Sequence, residues 1–483
     1  MNIVTNTHLA QRPVRPLSLW DKFAGSQFDR AKHALRVAGR MARQQRVGVR
    51  AFTATLTLSL LLLSLPLAAS PQIKHWQTSN GARVYFVPAP ELPLLDARIT
   101  FDAGGARDGE LPGLAKLTNS LLGEGATGLD ADAIAEAFDR VGARFSNDSM
   151  RDMATLSLRS LTEPAMLEPA LDTFARVLQQ PDFPTEALER QRRQMLIGLQ
   201  SELQRPGQIA SRAFFHALYH EHPYAIPASG TEAAVAALAR EHVMDFYRRY
   251  YVAQNAVIAL VGALSRDEAE AIAERLSQGL ASGQPAPALP SVAALTEASR
   301  THIRHDASQT HILLGQPGMA RGDADYFPLY VGNHILGGGG LVSRISDEVR
   351  EKRGLAYSAS SYFLPMRERG PFTLSLQTRN NNAEQAEQVL RDTLSDFVAN
   401  GPTAEELEAA QKNLIGGFAL NTDSNSKILG YIAMIGFYGL PLDYLERFIG
   451  EIEAVTMESI RDAFQRRIDP ARMALITVGG SGE

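Results

Sequence analysis

The chain has 483 residues, 45% apolar and 21% charged, a balance that suits a soluble globular protein of two or more domains. It contains no cysteine, which excludes disulfides, thiolate metal sites and a lipid-bearing cysteine behind a signal segment. The net charge of −5 is unevenly spread: residues 1–70 carry +8, so the remainder carries −13, a balance that lends no support to nucleic-acid binding.

The first element is a leader. Arg43, Arg46 and Arg50 precede an uncharged run over 51–69, most apolar over 56–65, and Pro66, Ala68, Ala69 and Ser70 follow. Basic, apolar and small in that order is the pattern of a secretory signal peptide. It predicts cleavage near residues 68–70 and a periplasmic mature protein with no membrane attachment. The apolar run is short for a spanning helix, which needs ~20 residues; an uncleaved signal anchor is the alternative. Met41 lies just upstream of the basic region and is the expected true start, a long basic leader being the alternative.

The mature part opens with Arg83-Val-Tyr-Phe-Val after Asn80-Gly81, a hairpin-turn dipeptide. A second strand is predicted over 95–101 and helices over 114–122 and 130–141, the latter with Ala, Ile and Phe at helical spacing. A strand over 153–158, an amphipathic helix over 165–178 and a long helix over 188–203 follow. Strands followed by runs of helices indicate an α+β domain with a mainly antiparallel sheet.

The same order recurs at an offset of 218 residues. Thr155-Leu-Ser-Leu returns as Thr373-Leu-Ser-Leu, Pro184-Thr185 as Pro402-Thr403, and Leu196-Ile-Gly198 as Leu414-Ile-Gly416. Phe246, Arg248 and Arg249 match Phe464, Arg466 and Arg467. The expected organisation is a leader over 1–70, one domain over 71–276, a linker over 277–299 rich in Gly, Pro and Ala, and a homologous second domain over 300–483.

Four groups of residues invite a chemical reading. His216, His220, Glu221 and His222 form the one His-rich cluster, but its spacing is neither His-Glu-x-x-His nor His-x-x-Glu-His, and Pro223 should end the helix, so a structural role is favoured. His302 and His305 fall on opposite faces of a strand, and His311 lies further along, so a shared ligand role is not expected. Gly337 to Gly340 lack the Lys-Ser/Thr of a phosphate loop and read as a flexible turn. Arg350 and Tyr357 stand seven apart, with Arg353 between them.

Three segments carry a resemblance. They are Gly113-Leu-Ala-Lys-Leu-Thr-Asn-Ser120, His222-Pro-Tyr224 and Leu336-Gly-Gly-Gly-Gly-Leu-Val-Ser-Arg-Ile-Ser-Asp-Glu-Val-Arg-Glu-Lys-Arg-Gly-Leu-Ala-Tyr-Ser358. Together they resemble the insulinase/pitrilysin and mitochondrial-processing-type zinc peptidases, the M16 family. The resemblance implies an α+β domain repeated twice per chain, with two chains, or one fused chain, closing around a peptide chamber. In the family the first segment carries His-x-x-Glu-His, which holds zinc and supplies the general base. Here those positions are Lys116, Asn119 and Ser120. The family's third ligand, a glutamate on a long helix, falls at Gly198, with Glu202 one turn further and expected to face solvent. The resemblance therefore implies that this chain binds no metal.

It also implies that Arg350 and Tyr357 are a catalytic and substrate-binding pair. A guanidinium holds a peptide carbonyl and a phenol donates to an oxyanion. The expected function is a zinc-lacking subunit of a heteromeric metallopeptidase, inactive alone, which completes the site of a zinc-bearing M16 partner that hydrolyses peptides added to a sheet edge. A non-proteolytic structural or peptide-binding protein of the same fold is the alternative.

Overall fold

The computed structural model describes residues 71–480. The leader, its cleavage region and the expected start at Met41 lie outside the described residues. Among the described residues no helix is long and apolar enough to cross a membrane.

Apolar runs, continuous in the central strands Ala256–Gly262 and Ala474–Gly479, build two sheets. The first contains β1 (Lys74–Gln77), β2 (Arg83–Pro88), β3 (Leu94–Phe101), β6 (Arg144–Ser149), β7 (Ala154–Leu161) and β8 (Ala256–Gly262), in the order β1-β2-β8-β3-β7-β6. A two-residue ladder, β4 (Gly125–Ala126) with β5 (Leu129–Asp130), stands apart from it. The second sheet contains β9 (Ser299–Arg304), β10 (Gln309–Pro317), β11 (Ala356–Phe363), β12 (Pro371–Arg379) and β13 (Ala474–Gly479), in the order β11-β12-β10-β13-β9. Leaving β1 aside, the two orders are the same. Each sheet has one parallel pair, β2 with β8 and β9 with β13, and is antiparallel elsewhere.

The two sheets are therefore copies of one domain, as the sequence repeat implies. The offset of 218 holds between β7 and β12. It slips to 215 between β3 and β10, because Phe101 pairs with Ala154 while Gln316 pairs with Phe372. Loop-length differences absorb the slip.

Each sheet has two apolar faces, and the faces have different partners. In the first domain Leu95, Ala97, Ile99 and Phe101 of β3 pack with Leu171, Phe174 and Leu178 of the helix Pro164–Gln179 in the domain's own core. The opposite face, with Tyr85, Val87, Val257, Ala259 and Val261, receives Leu429 and Ile432 of the helix Asn425–Tyr438 from the second domain. The exchange is reciprocal. The helix Pro206–Tyr219 of the first domain buries Phe214 and Leu218 against Ala474, Ile476 and Val478 of β13. These two helices occupy matching places in the repeat. Glycine permits the contact at Gly436, where a Cβ would stand 2.6 Å from the Tyr85 ring and 2.7 Å from Val257.

The connection between the helix Arg266–Ser277 and β9 contains no helix or strand, yet it is held in place. Arg107 donates to the carbonyl of Pro287 (2.7 Å), His222 Nε2 donates to the carbonyl of Pro290 (2.9 Å), and the Ala286 N–H donates to Asn255 (3.0 Å).

Candidate functional site

The helix Leu114–Leu121 starts where Gly113 adopts φ +96°, a conformation that favours glycine. Its free N–H groups are met by Asp108, whose carboxylate accepts from Gly113 N and Ala115 N, both at 2.7 Å. Burial pushes the Asp108 carboxyl up to about 7, against the pull of those two donors. The sign follows by linkage. The folded state holds this proton more tightly than the unfolded chain does, so stability falls as pH rises from about 4 through 7. Wild type should lose about 2–4 kcal/mol across that window through this group. Asp108→Asn should flatten the slope, as read from urea midpoints between pH 5 and 8. Parallel curves for the two proteins would refute this.

On this helix the family's two ligand positions, Lys116 and Ser120, and its base position, Asn119, meet different fates. Lys116 is exposed. Asn119 is 2% exposed and turned inward, donating to Thr155 O (3.4 Å) and the Tyr251 hydroxyl (3.3 Å). Ser120 donates back to Leu117 O (2.9 Å). Gly198, on the helix Thr185–Glu202, is exposed with open space where a side chain would stand. A cation, an amide committed to the sheet, a hydroxyl satisfied by its own helix and a missing side chain do not fit a zinc ion.

Glu202 differs from expectation. It is half-buried, accepts from Ser229 (3.1 Å) and lies 3.6 Å from Arg212. Among the described residues no group of three or more His, Asp or Glu is arranged to hold a metal. In the His-rich cluster His216, His220 and Glu221 are exposed, and His222 accepts from Tyr224 N (3.1 Å) while bonding Pro290. Burial lowers the proton affinity of His222, which suits a neutral ring bridging two backbone groups.

His302 bonds Thr477 (2.9 Å) across the β9–β13 pair, away from His311. The glycine run is not a loose turn. Gly337 packs where a Cβ would lie 2.4 Å from Ser361, inside a wide helical turn His334–Gly338; only Gly340, at φ +66°, serves as a turn residue.

Arg350 and Tyr357 do come together. Arg350 lies in the wide turn Asp347–Glu351, and Gly354 at φ +61° reverses the chain into β11. Ala356 pairs with Thr378 and Ser358 with Gln377, so Tyr357 is the extra residue of a β-bulge. The bulge throws the side chain out of the ladder, and Tyr357 is 84% exposed. The Arg350 guanidinium carbon sits 5.1 Å from the centre of its ring, a cation–π contact, with Glu351 3.4 Å from its Nε. Buried Val349 and Leu355 anchor both flanks, and the Leu355 carbonyl accepts from Thr378 (2.5 Å). Arg353 is held elsewhere, by the Glu348 carboxylate (2.5 Å) and carbonyl (2.8 Å). Among the described residues no hydrogen bond, ion pair or ring contact joins Arg350 or Tyr357 to Lys116, Asn119, Ser120 or Gly198.

Sequence reasoning passed over one buried cluster. Asp152, 4% exposed, accepts from the Tyr224 hydroxyl (2.6 Å), the Tyr438 hydroxyl (3.0 Å) and Arg367 N (2.7 Å). Tyr224 comes from the His-Pro-Tyr turn, and Tyr438 and Arg367 from the second domain. The motif thus anchors the domain interface.

Comparison with known proteins agrees with this geometry. Residues 92–232 match the family model described as insulinase (peptidase family M16), and residues 237–414 match that described as peptidase M16 inactive domain. A crystal structure described as a peptidase M16 inactive domain from Pseudomonas fluorescens is 41% identical, with a TM-score of 0.82, and the match covers 85% of this chain and 98% of that one. An uncharacterized zinc protease, YmxG, from Bacillus subtilis is 26% identical over 85% of this chain and 99% of its own. A protein called non-peptidase homolog YmxG, from Helicobacter pylori, is 24% identical over 84% of this chain and 94% of its own. With two repeats of one α+β domain, a motif helix in the family's frame and a relative of this identity over this length, the chain belongs to the M16 peptidase family.

Proposed function

We propose that this chain is the metal-free member of a two-chain M16 peptidase, exported to the periplasm by its leader, and that it lends Arg350 and Tyr357 to a zinc site carried by the partner. The observation that carries the reading is the contrast between the two ends of the chain. In the zinc frame Lys116 is an exposed cation, Asn119 and Ser120 are hydrogen-bonded elsewhere, and Gly198 has no side chain. At the β11 bulge an arginine and a tyrosine are stacked together and presented to solvent, with no packing role for the phenol to explain it.

In this reading the chain's own work is to bind and orient. Arg350 holds a peptide carbonyl through its guanidinium N–H groups, and the Tyr357 hydroxyl donates to the oxygen that gains charge as the peptide bond is attacked. The partner's zinc supplies the activated water. The peptide is taken as an extended strand, for which β6 and β11, at sheet edges, are the candidate templates. The name of the Helicobacter pylori relative, a non-peptidase homolog, favours a second reading, a structural or peptide-binding protein without proteolysis.

Metal content tests the assignment. The purified chain should hold no stoichiometric zinc after dialysis, and its complex with an M16 chain bearing His-x-x-Glu-His should hold zinc that is lost when the partner's motif is mutated. Tight zinc on this chain alone, removed by mutating His220 or His222, would overturn it.

A further inference from the structure

The two repeats treat one arginine differently. Phe101 pairs with Ala154 and Gln316 with Phe372, and both partners immediately precede Thr-Leu-Ser-Leu, so the pairing aligns the repeats residue by residue at this point. The next residue is Asp102 in the first repeat and Pro317 in the second. Ala106-Arg107 follows in one and, one residue sooner, Ala320-Arg321 in the other, so the two arginines correspond by the repeated Ala-Arg and not by the strict pairing register. Arg107 is buried and gripped by both oxygens of Asp102, Nε at 2.7 Å and Nη2 at 2.8 Å. Proline has no carboxylate to offer, and among the described residues Arg321 has no ion pair. Its side chain makes one long hydrogen bond, from Nη1 to the Tyr326 hydroxyl (3.5 Å), and its Nε is buried without a partner. A half-buried guanidinium left in this state is costly unless something else meets its charge.

Arg321 lines a cavity of about 250 Å³ with Tyr326, Phe327, Leu440 and Tyr444. The rings of Tyr326 and Tyr438, 5.9 and 5.8 Å from its guanidinium carbon, steady it without using its N–H groups. Two carboxylates also line the cavity, and each is already taken. Asp323 is held by Arg467 at 2.8 and 2.5 Å, and Glu451 by Arg447. Burial raises the Tyr444 phenol well above its usual range, so it stays protonated. Tyr326 and Tyr444 both line the cavity, and a protonated phenol keeps a hydrogen to donate. The volume is just below the ~300 Å³ at which sites for larger ligands begin, which limits the occupant to a single residue or a small acid.

We infer that this cavity binds a carboxylate borne on a compact apolar group, supplied by the C-terminus of a peptide ending in an aliphatic residue or by a free branched-chain acid. The carboxylate meets the Arg321 N–H groups that face the cavity, and the apolar group lies against Phe327 and Leu440. The site needs neither metal nor second chain, so it stands or falls apart from the proposed pairing.

Isothermal titration of the mature chain with 4-methylpentanoate, acetyl-Ala-Leu and acetyl-Ala-Leu amide tests it. At least one of the two carboxylates should bind saturably at millimolar concentration or below, and the amide at least about tenfold more weakly, the scale of a charge-assisted hydrogen-bond pair. Tighter binding of the dipeptide would identify a peptide end as the source; tighter binding of the free acid would identify a small metabolite. Arg321→Gln should weaken binding about tenfold or more, and Tyr444→Phe, which keeps the ring in place should the first variant fold poorly, about fivefold. No saturable binding by the wild-type chain, equal binding of acid and amide, or unchanged affinity in the folded variants would overturn the assignment.

Discussion

Tyr357→Phe should lower the activity of the reconstituted two-chain complex roughly 100-fold, the scale of one lost oxyanion donor, while fold and association stay intact. The substitution removes one hydroxyl from a ring that is 84% exposed and sits outside the ladder at a bulge, so no packing or buried hydrogen bond is lost with it. The cation–π contact with Arg350 survives, since phenylalanine keeps the ring face. The loss should therefore appear in kcat. Arg350→Ala should act on both KM and kcat, because in the proposed site its guanidinium holds a carbonyl in the ground state, and it also stands against the Tyr357 ring. Arg353→Ala should do far less, since Glu348 already occupies that side chain. Full activity in both the Tyr357 and the Arg350 variants would leave the chain as a scaffold.

Asp152→Ala should destabilise the folded chain by about 3–5 kcal/mol, the cost of leaving buried partners of a charged group unmet. One carboxylate receives three donors: Tyr224, Tyr438 and the backbone of Arg367. Burial first, and the Asp152 charge second, hold the Tyr224 and Tyr438 phenols well above their usual ionisation, so both remain donors at any physiological pH. Two of the three donors belong to the second domain, so the loss falls on the interface between the repeats. Calorimetry should show a lowered midpoint, with the single unfolding transition broadened or split in two. A midpoint within a degree of wild type would contradict the role given to Asp152.

What the sequence made legible was local or repeated. Asn80-Gly81 marks the β1–β2 hairpin, and Gly81 has φ +97°. The repeated Thr-Leu-Ser-Leu falls on β7 and β12, at matching places in the two sheets. The changes at Lys116, Asn119, Ser120 and Gly198 could be read directly, because a ligand frame is defined by spacing along one helix and one long-range position. Contacts distant in sequence were hidden. Nothing near Asp152 indicates that it meets Arg367 and Tyr438, more than 200 residues away. The inward turn of Asn119 depends on Thr155 and Tyr251, and the orientation of Glu202 on Ser229 and Arg212. The exposure of Tyr357 depends on a bulge, which is a property of the pairing between β11 and β12 and not of either strand alone. Arg321 drew no notice because its distinguishing feature is a missing partner, visible only in the folded chain, where Arg107 has Asp102 and Arg321 has no carboxylate.

The central claim, that this chain completes a zinc site it does not contain, is tested most directly by mixing. Purified mature chain and a purified M16 chain carrying His-x-x-Glu-His should each be nearly silent on a quenched fluorescent peptide, and the equimolar mixture should hydrolyse it with a zinc dependence that belongs to the partner. A partner that cleaves the peptide equally well alone, or a mixture as silent as its parts, would contradict the account.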